Sequence, residues 1–116
     1  MILPTYNRAY CLPRAIDSVL AQSHQDFEIV LVDDGSTDNT ATVVMGFGDP
    51  RVRLIRQSNQ GHSAATNAGV RASCGSYIKL LDADDVLGPG HIQAQLQVLQ
   101  GATEQVASCR WGYFIQ

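Results

Sequence analysis

A chain of 116 residues, 45% hydrophobic and 16% charged, has the make-up of one globular domain with one core. Its formal net charge of −3 and the lack of any Lys/Arg block exclude a nucleic-acid binder that works through a basic surface. No apolar run reaches the ~20 residues that cross a bilayer, and no charged-then-apolar leader is present, so a cytoplasmic location, free or at the cytoplasmic face of a membrane, is expected.

Met1-Ile2-Leu3, ended by Pro4, reads as the tail of a strand. Asn7 is a candidate cap for a helix over residues 9–22, where Leu12, Ile16, Val19 and Leu20 recur at helical spacing. Pro13 falls in its first turns, where a missing N–H does little harm. Phe27 to Val32 is almost entirely apolar and β-branched, as expected of a strand covered on both faces. Asp33-Asp34-Gly35-Ser36 breaks it. A short helix follows over residues 40–45, ended by Gly46 and Gly48.

Residues 51–56 alternate charged and apolar side chains, which suits a less covered strand. After a loop at 58–61, Ser63 is a candidate N-cap for a helix to Ser73, with Gly75 just beyond it. Ala64, Ala65, Ala68 and Gly69 would let that helix lie close to a neighbour. Residues 76–81 read as the next strand, 89–99 as a helix opened by Pro89, and 106–115 as a final strand. Alternating strands and helices predict an α/β fold over residues 1–116, a single domain with a mostly parallel open sheet flanked by helices. Cys11, Cys74 and Cys109 are far apart, odd in number and free of CxxC spacing, so they read as reduced residues rather than zinc ligands.

Three polar clusters each follow a strand directly: Pro4-Thr5-Tyr6-Asn7, Asp33-Asp34-Gly35-Ser36 and Asp82-Ala83-Asp84-Asp85. In a parallel sheet such ends share one edge, the edge where open α/β sheets bind ligands. The acidic run needs a reason, because two carboxylates ~4 Å apart repel by about 4 kcal/mol at an effective dielectric of ~20. One reason is a solvated acidic turn that caps the next helix. The other is a hard divalent cation, Mg²⁺ or Mn²⁺, held by one or two carboxylates together with substrate phosphates.

PTYNRAYCLPRAIDSVLAQSHQDFEIVLVDDGSTDNT, NQGHSAATNAG and GSYIKLLDADD, in that order, resemble the family 2 glycosyltransferases, from Ile2 to about Leu99. The resemblance implies a GT-A, Rossmann-like fold, truncated to the donor-binding half with the acceptor half absent. It implies that Pro4, Thr5 and Tyr6 line a nucleobase pocket, that Asp34 accepts a hydrogen bond from the base, and that Asp33 supports the loop beside it. Asn67 would contact the donor or bond to a nearby loop. Asp82-Ala83-Asp84 would be the DxD motif, with Asp82 at the ribose or a metal-bound water and Asp84 on the metal. The implied reaction moves a sugar from a nucleoside-diphosphate sugar, expected to be a UDP-sugar, to an acceptor hydroxyl with inversion. The acceptor, a saccharide, lipid or protein, is open. The general base is expected beyond the C-terminus, since no Asp or Glu follows Glu104. A nucleotide-binding module without turnover is the alternative, and the cut strands suggest self-association through exposed edges. Thr66 departs from the family, many of whose members carry Arg there. Of the histidines, His62 is the one placed to approach a ligand, while His24 and His91 read as surface residues.

Overall fold

The computed structural model describes residues 1–101 and 105–107. Its elements are β1 (Ile2–Thr5), α1 (Leu12–Leu20), β2 (Ile29–Asp33), α2 (Thr40–Met45), β3 (Val52–Arg56), α3 (His62–Ala72) and α4 (His91–Leu99). The strands form a parallel sheet in the order β1-β2-β3, with Ile2 beside Val30 and Ile29 beside Val52.

Side chains alternate across the sheet, which divides the core into two layers. Leu3, Ile29 and Leu31 face Leu12, Ile16 and Val19 of α1 and Val44 of α2. Ile2, Val30 and Val32 face Ala65 of α3, with Ala68, Ala72 and Ile55 around them. β1 and β2 are therefore fully buried, while β3 exposes Arg53 and Arg56, as their sequence patterns predict. The small residues of α3 do bring it close to the sheet. A Cβ on Gly69 would run into the Ile2 Cγ2 methyl and come within 3.2 Å of Val32 Cγ2.

Several expectations change. Ser63 lies inside α3, whose N-cap is Gly61, and α4 starts at His91 after the cap Gly90, so Pro89 does not open it. Asn7 does not cap α1, which begins at Leu12 after Cys11 without a side-chain cap. Asn7 instead adopts a left-handed backbone, with φ of 50°. Residues 76–81 do not form a full strand, because only Leu80 bridges to Ile2. Ile2 N–H donates to the Lys79 carbonyl at 2.8 Å and Leu81 N–H to the Ile2 carbonyl at 3.0 Å. The next donor on that side of β1 would be residue 4, a proline without an N–H, so the ladder stops. In the other direction, residues 76–78 lie opposite no residue of β1. Finally, residues 105–107 have no regular structure, and the rest of the predicted last strand, with Cys109, lies outside the described residues. Cys11 is buried and Cys74 exposed, both as free thiols.

Among the described residues, no helix is long and apolar enough to cross a membrane.

Candidate nucleotide-sugar site

The sheet places β2 on one side of β1 and the 79–81 segment on the other, so the chain reverses direction around β1. Crevices at such switch points collect ligands at the carboxyl ends of the strands. Here the crevice has a local cause as well. Pro4 ends the pairing, so the chain after Thr5 and the turn at Asp82 separate. A cleft of about 510 Å³ opens between them, lined by Pro4, Thr5, Tyr6, Asp34, Asp82 and Asp84 among others. All three sequence clusters therefore contribute to one cleft.

Asp34 is 4% exposed and organises the cleft floor. Its Oδ1 accepts from Gln57 Nε2 at 2.8 Å and Gln60 N–H at 2.9 Å, and its Oδ2 from Gly61 N–H at 2.9 Å. Burial pushes its pKa up, but those three donors outweigh burial and hold it below the ordinary carboxylate range. Asp34 thus ties the 57–61 loop, and the start of α3, to the end of β2. Gly35 permits this packing, since it has φ of 80° and a Cβ there would lie 2.8 Å from Asn59 N.

Asp33 is fully buried and does not line the cleft. Its Oδ1 accepts from Ser36 N–H at 3.0 Å, closing the turn after β2. Its Oδ2 lies 3.3 Å from Arg56 Nε without hydrogen-bond geometry. Asn67 is exposed on α3 and also lies outside the cleft lining. Thr66 Oγ1 is buried without a partner, away from the lining.

The acidic turn is held from below. Leu81, Ala83 and Leu87 are buried in the layer beneath α1. Ser18 Oγ accepts from Leu87 N–H at 3.1 Å. Gln22, 2% exposed, donates to the Gly88 carbonyl at 2.6 Å and accepts from Ile92 N–H at 3.1 Å. Ala83 buries itself while Asp82 and Asp84 stay exposed on the cleft side, an alternation that sets the two carboxylates on the same rim. Asp85 lies outside the lining. Burial, then the charges of Asp82 and Asp84, push its pKa up.

Among the described residues, no group of three or more His, Cys, Asp or Glu could hold a metal ion. The donor set is instead a pair of exposed carboxylates, which suits a hard cation that takes its remaining ligands from phosphate and water. Thr5 Oγ1 is buried without a hydrogen-bond partner and belongs to the same lining.

Asn7, from the first polar cluster, lines the cleft; so does Arg8, whose sequence context favours a solvent-exposed role over a phosphate contact, and so do Asn59 and Gly61, which sequence reading did not assign to it. His62, the histidine it favoured, does line it, with Nε2 3.3 Å from Asp82 Oδ1. His24 and His91 do not.

The chain matches the model described as Glycosyl transferase family 2 over residues 1–116. An uncharacterized glycosyltransferase of Nostoc sp. is 47% identical over 103 residues, which cover 86% of this chain and 32% of that protein. The succinoglycan biosynthesis protein ExoO of Rhizobium meliloti is 40% identical over 107 residues, 91% of this chain and 31% of that protein. Among solved structures, S. aureus TarS 1-349 in complex with UDP-GlcNAc is similar at a TM-score of 0.81 and 24% identity, over 86% of this chain and 30% of that one, a likeness that shows the fold. The mannosyltransferase PcManGT from Pyrobaculum calidifontis, in complex with GDP-Man and Mn²⁺, is similar at a TM-score of 0.68 and 29% identity, over 73% of this chain and 27% of that one. The chain spans about a third of the length of these proteins. With the sheet, the switch-point cleft and the match over its whole length in agreement, the chain belongs to glycosyltransferase family 2 and has a GT-A-type α/β fold.

Proposed function

We propose that this chain is the donor-binding domain of a glycosyltransferase that moves a sugar from a nucleoside-diphosphate sugar to an acceptor hydroxyl, with inversion and with a divalent cation. The supporting observation is the gathering of Thr5, Asp34, Asp82 and Asp84 around one cleft at the carboxyl edge of the sheet.

In this reading Pro4, Thr5 and Tyr6 receive the base and ribose. Tyr6 is 46% exposed and offers a ring face, and Thr5 Oγ1 has a free hydrogen bond. Asp34 Oδ2 accepts from Gly61 N–H and keeps a lone pair for a donor on the base. Asp33 acts at one remove, through the turn it closes. Asp84, with Asp82 beside it, would hold Mg²⁺ or Mn²⁺, a reading supported by the likeness to a mannosyltransferase in complex with GDP-Man and Mn²⁺. Bound there, the cation would offset the negative charge that gathers on the departing diphosphate.

The cleft carboxylates are then all committed, Asp34 to the loop and Asp82 and Asp84 to the cation. The general base that takes the acceptor proton is therefore assigned to a segment outside this chain, as the lengths of the relatives suggest. The same commitment favours a second reading, nucleotide binding by this chain without turnover.

Calorimetry with UDP and GDP, with and without Mn²⁺, tests the proposal. A nucleoside diphosphate should bind in a Mn²⁺-dependent way, and Asp84→Asn should weaken it. If neither nucleotide binds with metal, and Asp84→Asn changes nothing, the assignment fails. Binding without transfer by this chain to any acceptor would select the second reading.

A further inference from the structure

Two walls face each other across the cleft, and one helix joins them. The first wall, which includes Thr5 and Tyr6, runs on into α1. The Arg8 carbonyl accepts from Cys11 N–H at 3.1 Å and from Leu12 N–H at 3.0 Å, where the helix begins. The nine residues of α1 span about 14 Å at 1.5 Å per residue. Leu12, Ile16 and Val19 pin the helix to Leu3, Ile29 and Leu31 of the sheet.

The second wall is the acidic turn with Asp82 and Asp84, and the far end of α1 holds it. On the strand side the turn is tied at Leu81, whose N–H donates to the Ile2 carbonyl at 3.0 Å. On the other side it is tied to α1 and the residues just after it. Leu87 N–H donates to Ser18 Oγ at 3.1 Å, and Ser23 N–H to the Pro89 carbonyl at 2.9 Å. Gln22 is at the centre of this bracket and is 2% exposed. Its Nε2 donates to the Gly88 carbonyl at 2.6 Å and to the Ser18 carbonyl at 3.0 Å, and its Oε1 accepts from Ile92 N–H at 3.1 Å. Both amide hydrogens and the amide oxygen are therefore engaged. The start of α4 has no side-chain cap from Gly90, and Ile92 N–H is one of the donors a helix start leaves without an internal partner. An apolar side chain would fill the same space, so the buried amide has its purpose in the partners it binds.

We propose that Gln22 is a positioning residue of the cleft. With Ser18 it fastens the acidic turn to α1, and α1 acts as a strut that sets the spacing between the Thr5–Tyr6 wall and the two carboxylates. This rests on the donor-site reading above and deepens it. A nucleoside diphosphate held with a divalent cation reaches from one wall to the other, so it gains from a spacing fixed before it arrives. A nucleoside alone touches the first wall and gains nothing from the strut.

The test compares the two kinds of ligand on the full chain. UDP at fixed Mn²⁺, or GDP if that is the nucleotide bound, is titrated by calorimetry, and the matching nucleoside by NMR. Gln22→Met keeps most of the buried volume and removes the three hydrogen bonds. It should weaken nucleotide binding about tenfold, because the carboxylates must then be ordered during binding, and leave nucleoside binding unchanged. Ser18→Ala removes only the tie to Leu87 and should show the same split at smaller size; it decides the matter if Gln22→Met does not fold. Unchanged nucleotide affinity in the folded variant overturns the assignment of Gln22 and leaves the donor site standing. So does an equal loss of nucleotide and nucleoside, which marks a general loosening of the fold. If the unaltered chain binds neither UDP nor GDP with Mn²⁺, the donor-site reading falls and the role of Gln22 falls with it.

Discussion

Removing the Asp34 carboxylate should unfasten the cleft floor before any ligand is present. In Asp34→Ala, Gln57 Nε2 and the Gln60 and Gly61 N–H groups lose their acceptor together. A hydrogen bond to a charged group contributes about 1.5–3 kcal/mol, but Gln57 can turn toward water and the exposed Gln60 and Gly61 amides can hydrate. The three losses are also coupled and do not add. A net cost of about 2–3 kcal/mol remains, read in urea denaturation as a lower midpoint at unchanged slope. The pH dependence has a fixed sign. The folded-state pKa of Asp34 is lowered, so its contribution is complete above the unfolded value of about 3.9. It is lost as pH falls through the folded value. The gap between native and Asp34→Ala stability should therefore be full at neutral pH and shrink in acid below about pH 4. Equal midpoints at neutral pH, or a gap that acid leaves untouched, would refute the assignment of Asp34 as the loop's anchor.

Gly69→Ala should destabilise by about 1–2 kcal/mol, the overpacking against Ile2 and Val32 outweighing the roughly 1 kcal/mol that alanine gains in a helix. Thermal unfolding reads this directly, and a more stable variant would show that α3 does not lie as close to the sheet. Asn7→Ala should cost about 1–3 kcal/mol, from the lost loop bonds and from alanine in a left-handed turn, and should weaken UDP binding along with stability. Asn7→Gly keeps the turn and should recover part of the stability. Gln22→Ala leaves the Ile92 N–H and the Gly88 carbonyl without their partner, at a cost of about 2–3 kcal/mol. Faster hydrogen exchange at residues 87–92, with β2 unaffected, would show that Gln22 holds the acidic turn rather than the whole core.

Periodicity and punctuation placed most of the elements, because their information is local. The apolar run at 27–32 demands burial on both faces, and β2 has it. The Ala/Gly spacing of α3 states how closely it can approach the sheet before the sheet is known. Three polar clusters at strand ends imply a shared edge, and Thr5, Asp34 and Asp84 do share one cleft. That step needs only the fact that parallel strands point the same way.

Direction of side chains and pairing across the sheet were not legible, because they depend on residues distant in the chain. Asp33 and Asp34 are adjacent and chemically identical, yet alternation along β2 buries one behind the turn and turns the other toward the 57–61 loop. Asn7 resembles a helix cap in sequence, but the 36–38 loop, about thirty positions away, competes for its side chain and wins with more hydrogen bonds. Residues 76–81 have a strand's composition but little of a strand's pairing, since Pro4 stops the ladder beyond Leu81 and residues 76–78 lie opposite no residue of β1. Sequence by itself thus determined which residues are apolar, which turns are polar and that those turns meet. Only the tertiary structure decided which carboxylate faces the cleft and which braces it, because a hydrogen bond is settled by whichever partner the fold brings within about 3 Å.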